Sequence, residues 1–126
     1  MLGSKNKFSI LFFNYCKKYP KKILVVDEKT NVEFSYNQSY ELIQRINRFL
    51  VKNKVQSGDT ITSGLPNCIE NLFIFLTCML FGYNYSALPE NFSEYEKKKL
   101  LKIVNPQLVF LNQITTHKNK SGEISI

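Results

Sequence analysis

Val55-Gln56-Ser57-Gly58-Asp59-Thr60-Ile61-Thr62-Ser63-Gly64-Leu65-Pro66-Asn67-Cys68-Ile69-Glu70 holds a turn, a strand and the opening of a helix in direct succession. Ser57-Gly58-Asp59 is turn chemistry, and Asp59–Leu65 leaves it as a short strand. Pro66-Asn67 then opens a helix, which Asn67 is placed to cap while Glu70, three residues on, reaches back in a capping-box arrangement. Ile69, Leu72, Phe73, Leu76, Met79 and Leu80 recur at helical spacing as the buried stripe. Phe73, Phe75 and Phe81 widen it, as in a helix held between layers, and Gly82 suits the exit. Tyr85–Leu88 reads as the next short strand. Strand, helix and strand in this order form the repeating unit of a parallel sheet.

The flanks extend the pattern. Upstream, Lys22–Asp27 is β-branched, and the turn Glu28-Lys29-Thr30-Asn31 leads to Val32–Tyr36, where apolar and polar residues alternate. The two runs predict a hairpin. Leu42, Ile43, Ile46, Phe49 and Leu50 mark one face of a helix over about Gln38–Asn53. Downstream, Ser93-x-x-Glu96 is a capping box opening a helix to about Val104. Pro106 breaks that helix, and Leu108–Leu111 is a further strand. The fold expected is α/β, an incomplete doubly wound, largely parallel sheet with an N-terminal β-hairpin and helices on both faces. Residues 1–111 form the domain, and 112–126 a loosely ordered polar tail with at most a short strand at Glu123–Ile126.

At the amino-terminal end, Phe8, Leu11, Phe12, Tyr15 and Tyr19 recur at helical spacing, which reads as an amphipathic packing helix. Lysines flank that face, so attachment to a membrane surface is the sharper alternative to docking on a core. The run Phe8–Phe13 is shorter than a signal-peptide core, and Asn14, Tyr15, Lys17 and Lys18 follow it instead of a small-residue cleavage site. The most apolar run, Leu72–Gly82, falls short of the roughly 18–20 residues a bilayer span needs. A cytoplasmic chain without a transmembrane segment is expected.

Composition narrows the function classes. The chain has 126 residues, 44% hydrophobic and 21% charged, with five Gly and four Pro, which excludes a disordered tail and a collagen-like repeat. Three scattered cysteines, Cys16, Cys68 and Cys78, exclude a disulfide-stapled scaffold and fit a reducing compartment. The net charge of +7 raises nucleic acid as a partner. Arg45 and Arg48 are the only arginines, however, and arginine is the usual reader of base edges. No nucleic-acid partner is expected.

No catalytic constellation emerges, and no catalytic, cofactor-binding or metal-ligating residue is assigned. There is no Gly-rich phosphate loop and no Gly-x-Gly-x-x-Gly. His117, the only histidine, sits in the polar tail without a Cys or fixed carboxylate nearby. Cys68 and Cys78 lack metal-ligand spacing and read as small hydrophobes. Glu94 and Glu96 sit where a helix start favours negative charge. Lys97-Lys98-Lys99 and Lys102 read as a solvated helix face, and Gly58, Asp59 and Asn67 as turn and capping residues.

Taken in order, several segments resemble one family. They are Phe34-Ser35-Tyr36, Arg45-Ile46-Asn47-Arg48-Phe49-Leu50, Val55-Gln56-Ser57-Gly58-Asp59, Leu65-Pro66-Asn67-Cys68-Ile69-Glu70, and then Gly82. The pattern is similar to the adenylate-forming, or AMP-binding, superfamily of acyl-CoA synthetases, luciferases and peptide-synthetase adenylation domains. The resemblance runs from about Phe8 to Leu111. Two departures stand out: the interval from Tyr36 to Asn47 is about one helical turn longer than usual, and Ala87 stands where the family often has Pro.

The resemblance implies a carboxylate substrate, ATP with Mg, an acyl-adenylate intermediate, and transfer to a thiol such as CoA or a carrier protein. It also implies that the phosphate loop, the adenine and ribose sites and the catalytic Lys follow the strand at Leu108–Leu111. None of these maps onto this chain, for which alone no cofactor is expected. Thr115-Thr116-His117-Lys118 through Ser121-Gly122 lacks the clustered order of that loop and is rejected as such. The expectation is therefore a truncated or split fragment of an AMP-dependent ligase, inactive alone. The alternative is a non-catalytic binding module that pairs through an open sheet edge with a separately encoded remainder or with itself.

Overall fold

The computed structural model describes residues 6–111 and, for the backbone, 123–125. Helix α1 (Lys7–Lys18) leads into a hairpin of β1 (Ile23–Asp27) and β2 (Val32–Ser35), followed by α2 (Tyr36–Lys52). Then come β3 (Thr60–Ser63), α3 (Ile69–Phe81), β4 (Asn84–Ala87), α4 (Glu94–Val104), β5 (Leu108–Leu111) and β6 (Glu123–Ser125). The hairpin is a separate antiparallel pair, whereas the other four strands form one parallel sheet in the order β4-β3-β5-β6. The fold is the α/β arrangement expected. The strand foreseen within 123–126 is present as β6, and the rest of the polar tail lies outside the described residues.

Strand order fixes the layers. From β3 the chain steps one way through α3 to β4, then returns across β3 through α4 to β5. Right-handed crossovers running in opposite directions place α3 and α4 on opposite faces of the sheet. The side chains follow that division. Ile61, Leu108 and Phe110 belong to the main core with α2 and α3, while the intervening Thr62 and Val109 are buried on the other face. Ile43 and Leu50 of α2, Ile61 of β3 and Leu80 of α3 are wholly buried, each burial stabilising by about 1.5–3 kcal/mol. Phe34 packs edge-on to Phe73 at 5.3 Å, tying the hairpin to α3, and Phe49 meets Phe110 at 6.0 Å.

Three local expectations change. Helix α3 begins at Ile69 with Cys68 as its N-cap and no side-chain cap, so Asn67 does not cap it. With Cys68 in that place the position that could reach back is Asn71, not Glu70, and the Asn71 carbonyl is committed to the sheet instead. The buried side of α3 runs through Phe73, Ile74, Thr77, Cys78, Leu80 and Phe81, leaving Met79 and Phe75 exposed. The stripe is rotated because α1 and α2 both press on this helix. Finally, α2 starts at Tyr36, two residues early, because Ser35 and Gln38 form a capping box. The box foreseen at Ser93 and Glu96 forms as expected and opens α4.

Candidate functional site

In open parallel sheets, ligands bind beyond the carboxyl ends of the strands, at the point where strand order reverses. Here that point lies between β3 and β5, at Ser63-Gly64 and Phe110-Leu111. Alternation along β3 puts Ser63 on the same face as Ile61, toward α3. Asn71, in the first turn of α3, meets it there. The Asn71 Oδ1 accepts from the Ser63 hydroxyl at 2.7 Å and from the Tyr85 hydroxyl at 2.8 Å. The backbone N–H of Leu65 donates to the Ser63 Oγ at 3.3 Å, holding the turn out of the strand.

Gly64 closes the crevice. Its N–H donates to the Phe110 carbonyl at 2.7 Å. A Cβ at this position would stand 3.0 Å from a Leu111 methyl and 3.4 Å from both a Leu88 methyl and the Phe110 carbonyl oxygen. A side chain here would make the Leu111 and Leu88 side chains give way by a few tenths of an ångström. A cavity of about 510 Å³ opens between the hairpin turn and the start of α3, lined by Asp27, Lys29, Cys68, Glu70 and Leu72 among others. The Asp27 carboxylate already accepts from the Lys29 N–H and the Thr30 hydroxyl, so it serves the turn.

The cluster at the switch point is built of two hydroxyls and one amide bonded to one another. The partner of the Ser63 hydroxyl is an amide oxygen, which cannot act as a base, so the serine is not an activated nucleophile. Burial pushes the Cys16 thiol up to about 11 and the Cys78 thiol up to about 12, keeping both protonated and inert at neutral pH. Among the described residues no three His, Cys, Asp or Glu side chains converge as metal ligands would.

The remaining motif residues gather at the opposite, amino-terminal end of the sheet. Gly58, at φ 93°, donates its N–H to the Gly82 carbonyl at 2.8 Å. Asn84 donates its side-chain amide to the Gly58 carbonyl at 2.8 Å, and the Asp59 carboxylate accepts from the Gln56 N–H at 2.7 Å. The Tyr83 hydroxyl donates to the Asn47 Oδ1, joining α2 to the exit of α3. These residues form a structural joint. Lys98, Lys99 and Lys102 lie exposed on α4, Lys97 faces Glu94 at 3.8 Å, and Glu94 and Glu96 occupy the first turn of that helix. Cys68 is half-buried beside the cavity, and His117 and residues 115–122 lie outside the described residues.

The cluster of Ser63, Asn71 and Tyr85 was not singled out in the sequence. Its available signal was an amide in the first turn of an otherwise apolar helix, eight residues after a strand serine.

The family model for AMP-binding enzymes matches residues 12–125, extending past Leu111 through β6. The human mitochondrial acyl-CoA synthetase short-chain family member 3 is 25% identical over 80 residues, 64% of this chain and 12% of that protein. The fold is similar to that of O-succinylbenzoate coenzyme A synthetase from Bacillus subtilis, solved with ATP and magnesium ion. The TM-score is 0.78 at 17% identity, covering 90% of this chain and 32% of that one. It is also similar to the fatty acyl CoA synthetase of Mycobacterium tuberculosis, with a TM-score of 0.74 at 19% identity over 81% of this chain and 20% of that one.

Proposed function

Since the chain belongs to the AMP-binding enzyme family, we propose that it forms the amino-terminal structural frame of an AMP-dependent synthetase or ligase. The family reaction activates a carboxylate with ATP to an acyl-adenylate and passes the acyl group to a thiol. The observation that carries the reading is one of proportion. The family match occupies residues 12–125, nearly the whole chain, yet the chain spans only 12% of the curated relatives it matches and 20–32% of the solved structures. The frame orients later segments, and ATP and magnesium are held by them. Residues 6–111 supply hydroxyls and an amide at the switch point.

On this reading the 126 residues do not form an adenylate unaided. Purified chain incubated with ATP, magnesium and a panel of carboxylates should give pyrophosphate exchange at the blank rate, and exchange above the blank refutes the proposal. Adding the coding sequence of the missing family segments, in one chain, should restore it.

A second reading is favoured by the sheet. Within the described residues β4 and β6 each have a neighbour on one side only, and an outer strand is a surface another chain can extend. A frame that acts by pairing with a separately encoded remainder should co-purify with that remainder when the two are expressed together, and recover exchange activity as a pair.

A further inference from the structure

The distribution of charge and exposure at the amino-terminal end has no part in the frame described above. Residues 1–26 hold Lys5, Lys7, Lys17, Lys18, Lys21 and Lys22 and no acidic residue, so this stretch carries nearly all the chain's net charge of +7. Helix α1 buries Ser9, Phe12 and Cys16 against the core. It leaves Ile10 at 51%, Leu11 at 47% and Tyr15 at 49% exposed, with Phe8 and Tyr19 exposed as well. Phe8, Leu11, Tyr15 and Tyr19 succeed one another by three, four and four residues and form one stripe along the helix. Tyr15 stacks on Tyr19 at 6.0 Å and on Tyr36 at 6.1 Å, and the Lys18 and Lys22 ammonium groups each sit 5.4 Å over the Tyr19 ring. Phe8, Ile10 and Leu11 also precede the family-matched segment, which starts at residue 12.

We propose that α1 docks the protein on an anionic phospholipid bilayer, with the stripe Phe8–Leu11–Tyr15–Tyr19 set into the headgroup boundary and the surrounding lysines on lipid phosphates. The charge of residues 1–26 is complementary, and that stretch holds no carboxylate. The convex side of a helix fits a plane, whereas a protein partner would need a groove to receive it. Tyrosines with an apolar ring and a polar tip suit an interface, and lysine stems reach along apolar surface to place their charges at the headgroups. A nucleic acid is disfavoured because this region has lysines and no arginine for bidentate phosphate contacts.

The test is flotation of the full 126-residue chain with phosphatidylcholine vesicles containing roughly a third phosphatidylserine, and with phosphatidylcholine alone. The chain should float with the anionic vesicles, stay behind with the neutral ones, and be released by high salt. Lys17→Gln/Lys18→Gln/Lys21→Gln/Lys22→Gln should weaken partition by roughly fivefold per lysine removed. Leu11→Asn should weaken it about tenfold. The lysine variant touches no buried residue, so it reads binding even if the apolar one unfolds. Failure to float with anionic vesicles overturns the proposal. So does equal binding to neutral vesicles, or binding that a folded Leu11→Asn variant leaves unchanged, which would be simple polyelectrolyte attraction. Self-association through Leu11 without vesicle binding would assign the stripe to a second copy and overturn it too.

Discussion

Asn71 offers one carbonyl oxygen to two hydroxyls, and that economy makes it the most sensitive polar residue of the sheet's carboxyl end. Asn71→Ala would leave the Ser63 and Tyr85 hydroxyls without their acceptor, and Ser63 is almost fully buried. A loss of about 1–3 kcal/mol is expected, read as a lower urea midpoint at unchanged slope. Thr62 presents the opposite case. Its Oγ1 is buried in the sheet with no hydrogen-bond partner among the described residues, so the isosteric Thr62→Val removes a desolvated hydroxyl without opening a cavity. That variant should be more stable by about 1 kcal/mol, seen as a raised midpoint. A lowered midpoint would show that the hydroxyl is satisfied in solution. Neither role was visible in the sequence, since a strand alternation says which face a Ser or Thr occupies but not who meets it there.

At the scale of elements, helix starts show why legibility varied. Ser93 and Glu96 announce α4 by themselves, because both halves of that box come from the helix's own sequence. The Ser35–Gln38 box is equally local, and its hydrogen bonds at 2.9 and 3.1 Å start α2 at Tyr36. Ser35→Ala should cost about 1 kcal/mol, measured by thermal unfolding, while Ser35→Asp should recover most of it. The start of α3 was misread because Asn71 is claimed by a strand and a tyrosine distant in sequence, and a tertiary contact of that kind leaves no local pattern. Helix α1 shows the same limit. Its periodicity was legible, but only Phe12 of the five residues in the expected stripe is buried. Spacing reveals an apolar stripe, and the neighbours decide how much of it is covered.

For the molecule as a whole, the strand–helix alternation from β3 onward was enough to predict a parallel sheet, and the separate hairpin followed from its turn. The switch-point cluster was not legible, because it is assembled by the strand order itself. The buried thiols give the whole fold a pH signature. Burial raises Cys16 from 9.0 to about 11 and Cys78 from 9.0 to about 12. Tyr40 and Tyr83 are raised as well, first by burial and then by the neighbouring thiols. An unfolded chain ionises these groups at lower pH than the native one. The stability they contribute is therefore complete below about pH 9 and declines as pH climbs through 11 and 12. Urea midpoints should be level near neutrality and fall above pH 9, with a shallower fall in Cys16→Ala/Cys78→Ala. A steeper fall in that variant would contradict the assignment.

The strand order also has a consequence for the chain as it leaves the ribosome. Strand β3 lies inside the sheet, yet both of its neighbours, β4 and β5, are synthesised after it. The hairpin can pair as it emerges, but α1 and α2 pack more on α3 than on each other and so must wait for Ile69–Phe81. Thr60–Ser63 must wait for Asn84–Ala87 and then for Leu108–Leu111 before its two ladders close. A pause in translation between residues 64 and 107 would hold this strand with at most one edge paired. Codon choice in that window therefore governs how long an unpaired, aggregation-prone strand is displayed to the cell.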